Sequence, residues 1–114
     1  MILIAQRSEK MALPLKWEFP GGKVEQGESE EECILREIQE ELNIHIKVIG
    51  RLPESTFNYS DKSITLIPFV CNYLSGELNL KEHKTSAWIN KNDILSYDLA
   101  EADIPIANHY LNLQ

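Results

Sequence analysis

The chain has 114 residues, the length of one domain, with 43% hydrophobic and 25% charged residues. That balance is ordinary for a globular protein and excludes a disordered tail, a collagen-like rod and a coiled coil. Lysine and arginine total 11 against 18 for aspartate and glutamate, a formal charge of -7, which argues against a general binder of nucleic-acid polymers or membrane surfaces.

The apolar start, Met1 to Ala5, is too short for a secretory leader, and the stretch Ile64 to Cys71 is too short to span a bilayer. Cys33 and Cys71 show no C-x-x-C spacing and read as small buried hydrophobes in a reducing cytoplasm.

Met1 to Gln6 is predicted as a strand, with Ile2, Leu3 and Ile4 in one apolar run. Ser8 to Lys16 is a mixed connection. Trp17 and Phe19 alternate around Glu18 as on a short strand, which Pro20-Gly21-Gly22 ends. Ser29-x-x-Glu32 is a capping box and starts a helix whose apolar positions are Ile34, Leu35, Ile38 and Leu42. Asn43 is the expected stop, because asparagine tolerates the left-handed conformation.

Ile44, Ile46 and Val48 alternate with polar residues, predicting a strand to about Leu52. Phe57–Tyr59 and Ser63–Tyr73 read as a hairpin around Ser60-Asp61-Lys62, and Ser75-Gly76 as the next turn. Ala87 to Ile89 is a further strand. Asn90 caps a brief helix through Leu95, and Asp103 caps a last helix with Pro105 in its first turn. The order predicts a mixed α/β domain over residues 1–114. Trp17, Phe19, Tyr59 and Trp88 are core candidates. His45, His83 and His109 lack metal-ligand spacing and are assigned to structure or surface.

The densest chemical signal is Gly22 to Ile44. At 100° per residue, Glu37, Glu40 and Glu41 fall on one side of the helix, away from its apolar stripe. Like charges at these spacings repel by roughly 0.2–0.5 kcal/mol per pair, and only Arg36 is near enough along the chain to offset them. The cluster reads either as a solvated acidic face or as a seat for a hard cation such as magnesium or manganese.

Gly22, Glu28, Arg36, Glu37, Ile38, Glu40, Glu41 and Ile44 stand at the spacing G-x5-E-x7-R-E-U-x-E-E-x-G-U, with U aliphatic. This resembles the Nudix box of the Nudix hydrolases. Six specified residues, each at a frequency of roughly 7%, coincide by chance on the order of once in ten million placements, which disfavours the plain acidic face. Asn43 departs from the pattern's glycine, and a small stability cost with an intact site is expected. The family's sheet carries one more strand before the one matching Ile2 to Gln6, so the sheet here is expected to lack its first strand. Trp17 to Glu25 looks like the segment leading into the box in the MutT subgroup, and Leu99 to Asn108 is similar to the last segment of MutT and of CTP pyrophosphohydrolase relatives.

The resemblance implies a mixed β-sheet between helices, an α/β/α sandwich, and cleavage of a nucleoside triphosphate to monophosphate and pyrophosphate with Mg2+ or Mn2+. By it, Glu37, Glu40, Glu41 and the carbonyl of Gly21 hold metal, Arg36 pins a carboxylate or the loop, and Glu28 orders the loop. Glu82 matches an additional loop glutamate and reads either as a metal ligand or general base, or as an ordinary surface residue. Arg7, Phe19, Lys23 and Asn108 are implied on the substrate side, with Lys10 and Lys16 adding to a basic rim. An oxidised purine such as 8-oxo-dGTP is the favoured substrate, and CTP or a modified pyrimidine triphosphate the alternative. A non-catalytic nucleotide sensor and an acidic interaction module are the readings from other classes. A cytoplasmic monomer or homodimer is expected.

Overall fold

The computed structural model describes residues 1–113. Its strands are β1 (Ile2–Gln6), β2 (Trp17–Glu18), β3 (His45–Arg51), β4 (Ser55–Asn58), β5 (Ser63–Leu66), β6 (Phe69–Ser75) and β7 (Thr85–Ile89). The helices are α1 (Glu30–Leu42) and α2 (Ile104–Leu111), with 3₁₀ turns at Lys91–Ser96 and Glu101–Asp103. The strands pair as three antiparallel groups, β2-β1-β7, β3-β6 and β4-β5. Trp17 and Leu99 add a parallel bridge.

β1 is buried on both faces, which explains its continuous apolar run. Ile4 packs with Ile89, Ile94, Leu99 and the α2 residue Ala107, and Ile2 joins that cluster. Leu3 points the other way, to Ile38 and Leu42 of α1 and to Ile44. Helices therefore cover opposite faces of β1, the layering expected of an α/β/α sandwich. Among the described residues no helix is long and apolar enough to cross a membrane.

Ser29 and Glu32 form the reciprocal capping box. Asn43 ends α1 at φ 61°, ψ 32°, in the left-handed region, and its Nδ2 donates to the Glu77 carbonyl at 3.1 Å. The side chain that replaces glycine thus gains a tertiary bond. Gly76 lies opposite at φ +104°, where an added Cβ would meet the Asn43 carbonyl oxygen at 2.6 Å. Only glycine fits both the angle and the space.

Several expectations are corrected. Ser63–Tyr73 is not one hairpin arm, because Pro68 lacks an N–H and breaks it. β5 pairs with β4, and β6 leaves to pair with β3. The helix at Lys91 is a 3₁₀ turn, capped by Asn90 as expected. Asp103 does not cap α2 with its side chain; a 3₁₀ turn precedes the helix, and Asp103 Oδ1 accepts from the Phe19 N–H at 3.3 Å. Leu35 is exposed, off the α1 stripe, while Cys33 is buried. Trp88 is 43% exposed rather than core and meets Tyr73 edge-on at 6.0 Å between ring centroids. Cys71 is half-buried.

Candidate active site

α1 presents its acidic side to the Phe19–Gly22 turn and to the segment that follows β6. Arg36 organises the near end. Its Nε and Nη2 grip Glu28 as a fork, at 2.6 and 3.0 Å, and Nη2 also donates to the Lys23 carbonyl at 3.1 Å. Glu28 in turn accepts from the Glu25 N–H at 3.0 Å. The loop of residues 23–28 is thereby fastened to the helix, and hydrogen bonds from Arg36 hold the Glu28 carboxyl down at about 2.

Arg36 Nη1 reaches Glu37 at 2.7 Å and Glu40 at 3.1 Å. One guanidinium therefore offsets two of the three clustered carboxylates. Glu37 lies against Gly22, where any Cβ would overlap its carboxylate, so the glycine clears the space this side chain occupies. The Gly22 carbonyl faces the Cys33 thiol at 3.8 Å, and Gly21 sits over Ile34. The turn thus rests on the first half of α1.

Glu41 has no arginine partner among the described residues. Burial pushes its carboxyl up, and the charges of Glu82 and Glu37 push it further. Glu82, distant in sequence, follows a segment bonded to the end of α1 that carries Glu41. Asn79 N–H donates to Leu42 O at 2.9 Å and Lys81 N–H to Glu41 O at 3.3 Å, so the segment before Glu82 satisfies the free carbonyls at the end of α1.

Among the described residues, no three His, Cys, Asp or Glu side chains stand close enough to enclose a metal ion as they are. Glu37 and Glu40 are drawn to Arg36 instead. The donor chemistry nevertheless suits a hard divalent cation. The charges of Glu82 and Glu37 oppose the ionisation of Glu41, and a cation held by oxygen ligands there relieves that cost.

The substrate-side candidates are more dispersed. Arg7 is half-buried and committed to Glu18, at 2.7 Å, and to the Ala12 carbonyl. Lys16 pairs with Asp98 at 2.7 Å. Lys10, Lys23 and Asn108 are exposed. Phe19 is half-buried against the cluster around Ile4. No spacing or periodicity signals that Asp103, 5% exposed, accepts from the Phe19 N–H, or that His83 and Glu18 stand 2.8 Å apart across 65 positions. An open groove of about 550 Å³, lined in part by Ser29, Val48, Arg51 and Phe69, involves none of these candidates.

The description NUDIX domain matches residues 1–110. A CTP pyrophosphohydrolase from Escherichia coli strain K12 is 34% identical over 113 residues, covering 99% of this chain and 84% of the relative. An 8-oxo-dGTP diphosphatase from Proteus vulgaris is 38% identical over 81 residues, covering 71% of this chain and 72% of the relative. The crystal structure of a MutT protein from Methanosarcina mazei superposes with a TM-score of 0.83 at 28% identity, over 95% of this chain and 80% of that one.

Proposed function

This chain belongs to the Nudix family, and from that premise we propose that it is a divalent-cation-dependent nucleoside triphosphate pyrophosphohydrolase. It releases a nucleoside monophosphate and pyrophosphate. The observation that carries the reading is the position of Glu41, whose ionisation is opposed by burial and by Glu82 and Glu37, at the open end of an acidic helix face.

Glu37, Glu40, Glu41, Glu82 and the Gly21 carbonyl would hold Mg2+ or Mn2+. When bound, the cation would neutralise the charge that develops on the phosphates as the phosphoanhydride bond breaks. Arg36 keeps Glu37 and Glu40 oriented and the 23–28 loop closed onto the helix. Glu41 or Glu82 takes the proton of the attacking water, the raised affinity of Glu41 for a proton suiting that role. Lys23 meets the phosphates, while Phe19 and Asn108 face the nucleobase. An amide side chain offers both a donor and an acceptor for a purine edge.

An oxidised purine triphosphate such as 8-oxo-dGTP is the first substrate reading, carried by the 8-oxo-dGTP diphosphatases among the relatives. CTP is the second, favoured by the relative that matches nearly the whole chain. The protein acts on free nucleotides in the cytoplasm, as a monomer or homodimer. A pyrophosphate-release screen over 8-oxo-dGTP, dGTP and CTP with magnesium tests this. The first reading expects the highest kcat/KM on 8-oxo-dGTP. A preference for CTP selects the second, and no turnover of any triphosphate rejects the activity.

A further inference from the structure

Glu18 stands on β2, directly before the Phe19–Gly22 turn, and His83 directly follows Glu82. Their side chains meet at 2.8 Å, Nε2 to Oε2. We propose that this bond is a clamp joining the glycine turn to the Glu82 loop across the acidic end of α1, and that His83 is a positioning residue for Glu82. The inference rests on the reading of Glu82 as part of the cation site.

The loop has little else to hold it. Its ends are tied by Lys81 N–H to Glu41 O at 3.3 Å and by Lys84, whose N–H donates to Gln6 O at 2.9 Å and whose solvent-exposed Nζ pairs with Glu9 at 2.9 Å, a contact worth little at the surface. Between them, neither the Glu82 nor the His83 N–H donates to backbone among the described residues. Lys81, Glu82 and Lys84 are exposed, whereas the His83 side chain is only 7% exposed. One buried ring therefore anchors an otherwise solvated loop. The like charges of Glu82 and Glu41 add to the need for an anchor there.

The chemistry of the clamp is directional. Glu18 is largely buried, which opposes its ionisation. Hydrogen bonds from His83 and Arg7 outweigh that and hold its carboxyl below the ordinary value. Glu18 is thus an acceptor, with Arg7 Nη1 on one oxygen at 2.7 Å and His83 Nε2 on the other. Facing a carboxylate oxygen, Nε2 is the donor of this bond. The other nitrogen, Nδ1, is buried with no partner among the described residues. A ring kept only for packing would carry no orphaned nitrogen, so the bond to Glu18 is the reason for histidine at this position.

The experiment compares His83→Phe, His83→Gln and Glu82→Gln with the unsubstituted protein, with Mn2+ alone as the binding probe. His83→Phe keeps the buried ring and removes the donor, whereas His83→Gln restores an N–H. The clamp predicts that His83→Phe weakens Mn2+ binding and lowers kcat by roughly 10- to 100-fold with KM little changed, and that His83→Gln recovers most of the loss. Exchange of the Lys81 amide should accelerate at least about tenfold in His83→Phe, while amides in the middle of α1 stay protected. Wild-type Mn2+ affinity and Lys81 exchange in His83→Phe would overturn the clamp. If His83→Phe does not fold, His83→Asn, which is too short to reach Glu18, must show the same pattern or the clamp is rejected. Glu82→Gln separates the two ideas. Unchanged Mn2+ affinity and kcat there would remove Glu82 from the site, and the Lys81 amide would still decide whether His83 holds the loop.

Discussion

Gly22 and Glu37 occupy space that only a glycine leaves free. A Cβ at position 22 would stand 2.6 Å from Glu37 Cγ and closer still to its carboxylate. The obstacle is the far end of a flexible side chain, so Gly22→Ala should still fold. Displacing Glu37 to a poor rotamer costs about 0.5–1.5 kcal/mol, and its 2.7 Å bond to Arg36 is lost. We expect a modest fall in Tm with a roughly 10- to 100-fold fall in kcat. Thermal melts and steady-state rates on one preparation check this. Undiminished turnover would mean that the placement of Glu37 is unimportant.

Glu41→Gln should separate stability from activity. The change is nearly isosteric and removes one of the charges that Glu82 and Glu37 oppose. Stability should hold or rise by a few tenths of a kcal/mol. Catalysis should fall by about 10²-fold or more, equivalent to roughly 2.7 kcal/mol. Near wild-type kcat in this variant contradicts the role assigned to Glu41.

Asp103 gives a pH signature. Burial raises its carboxyl from the ordinary 3.8 to about 7, with the Glu18 charge adding to the rise and the Phe19 N–H and Arg7 opposing it. The folded state therefore binds more protons than the unfolded state between those values. Stability is greatest at the acid end of that window and falls as pH rises, by at most about 4 kcal/mol from this group. Asp103→Asn should flatten the decline between pH 4 and 7, which urea titrations at several pH values resolve. An identical slope in the variant would remove Asp103 as its cause.

Asn108 is exposed on α2, so Asn108→Ala should fold normally. If it reads the base, kcat/KM for 8-oxo-dGTP should drop roughly 5- to 150-fold, the equivalent of about 1–3 kcal/mol for a bidentate contact. Rates on dGTP and CTP should change little. An equal fall on all three substrates would mean that the residue only supports the helix.

What the sequence made legible was local. The capping box at Ser29 and Glu32, the left-handed stop at Asn43 and the acidic side of α1 all follow from spacings within one element. Pro68 divides the stretch from Ser63 to Tyr73 into two strands with different partners, a division hidden because both pieces are good strand formers. Leu35 looked apolar and is exposed, since it lies 100° from Ile34 around the helix. The remaining features are tertiary. Glu18 and His83 meet across 65 positions, and Asp103 is buried because the Phe19 backbone needs an acceptor there. No periodicity encodes either. Arg7, expected beside substrate, is already occupied by Glu18, a partner that its sequence neighbours do not reveal.

The central claim is that the α1 carboxylates work through a divalent cation. Pyrophosphate release from a nucleoside triphosphate, measured in excess chelator and again as Mg2+ or Mn2+ is added back, tests it most directly. The account predicts no turnover with chelator, saturable recovery with metal, and a Glu41→Gln variant that stays slow even at high metal concentration. Full activity in excess chelator would contradict it.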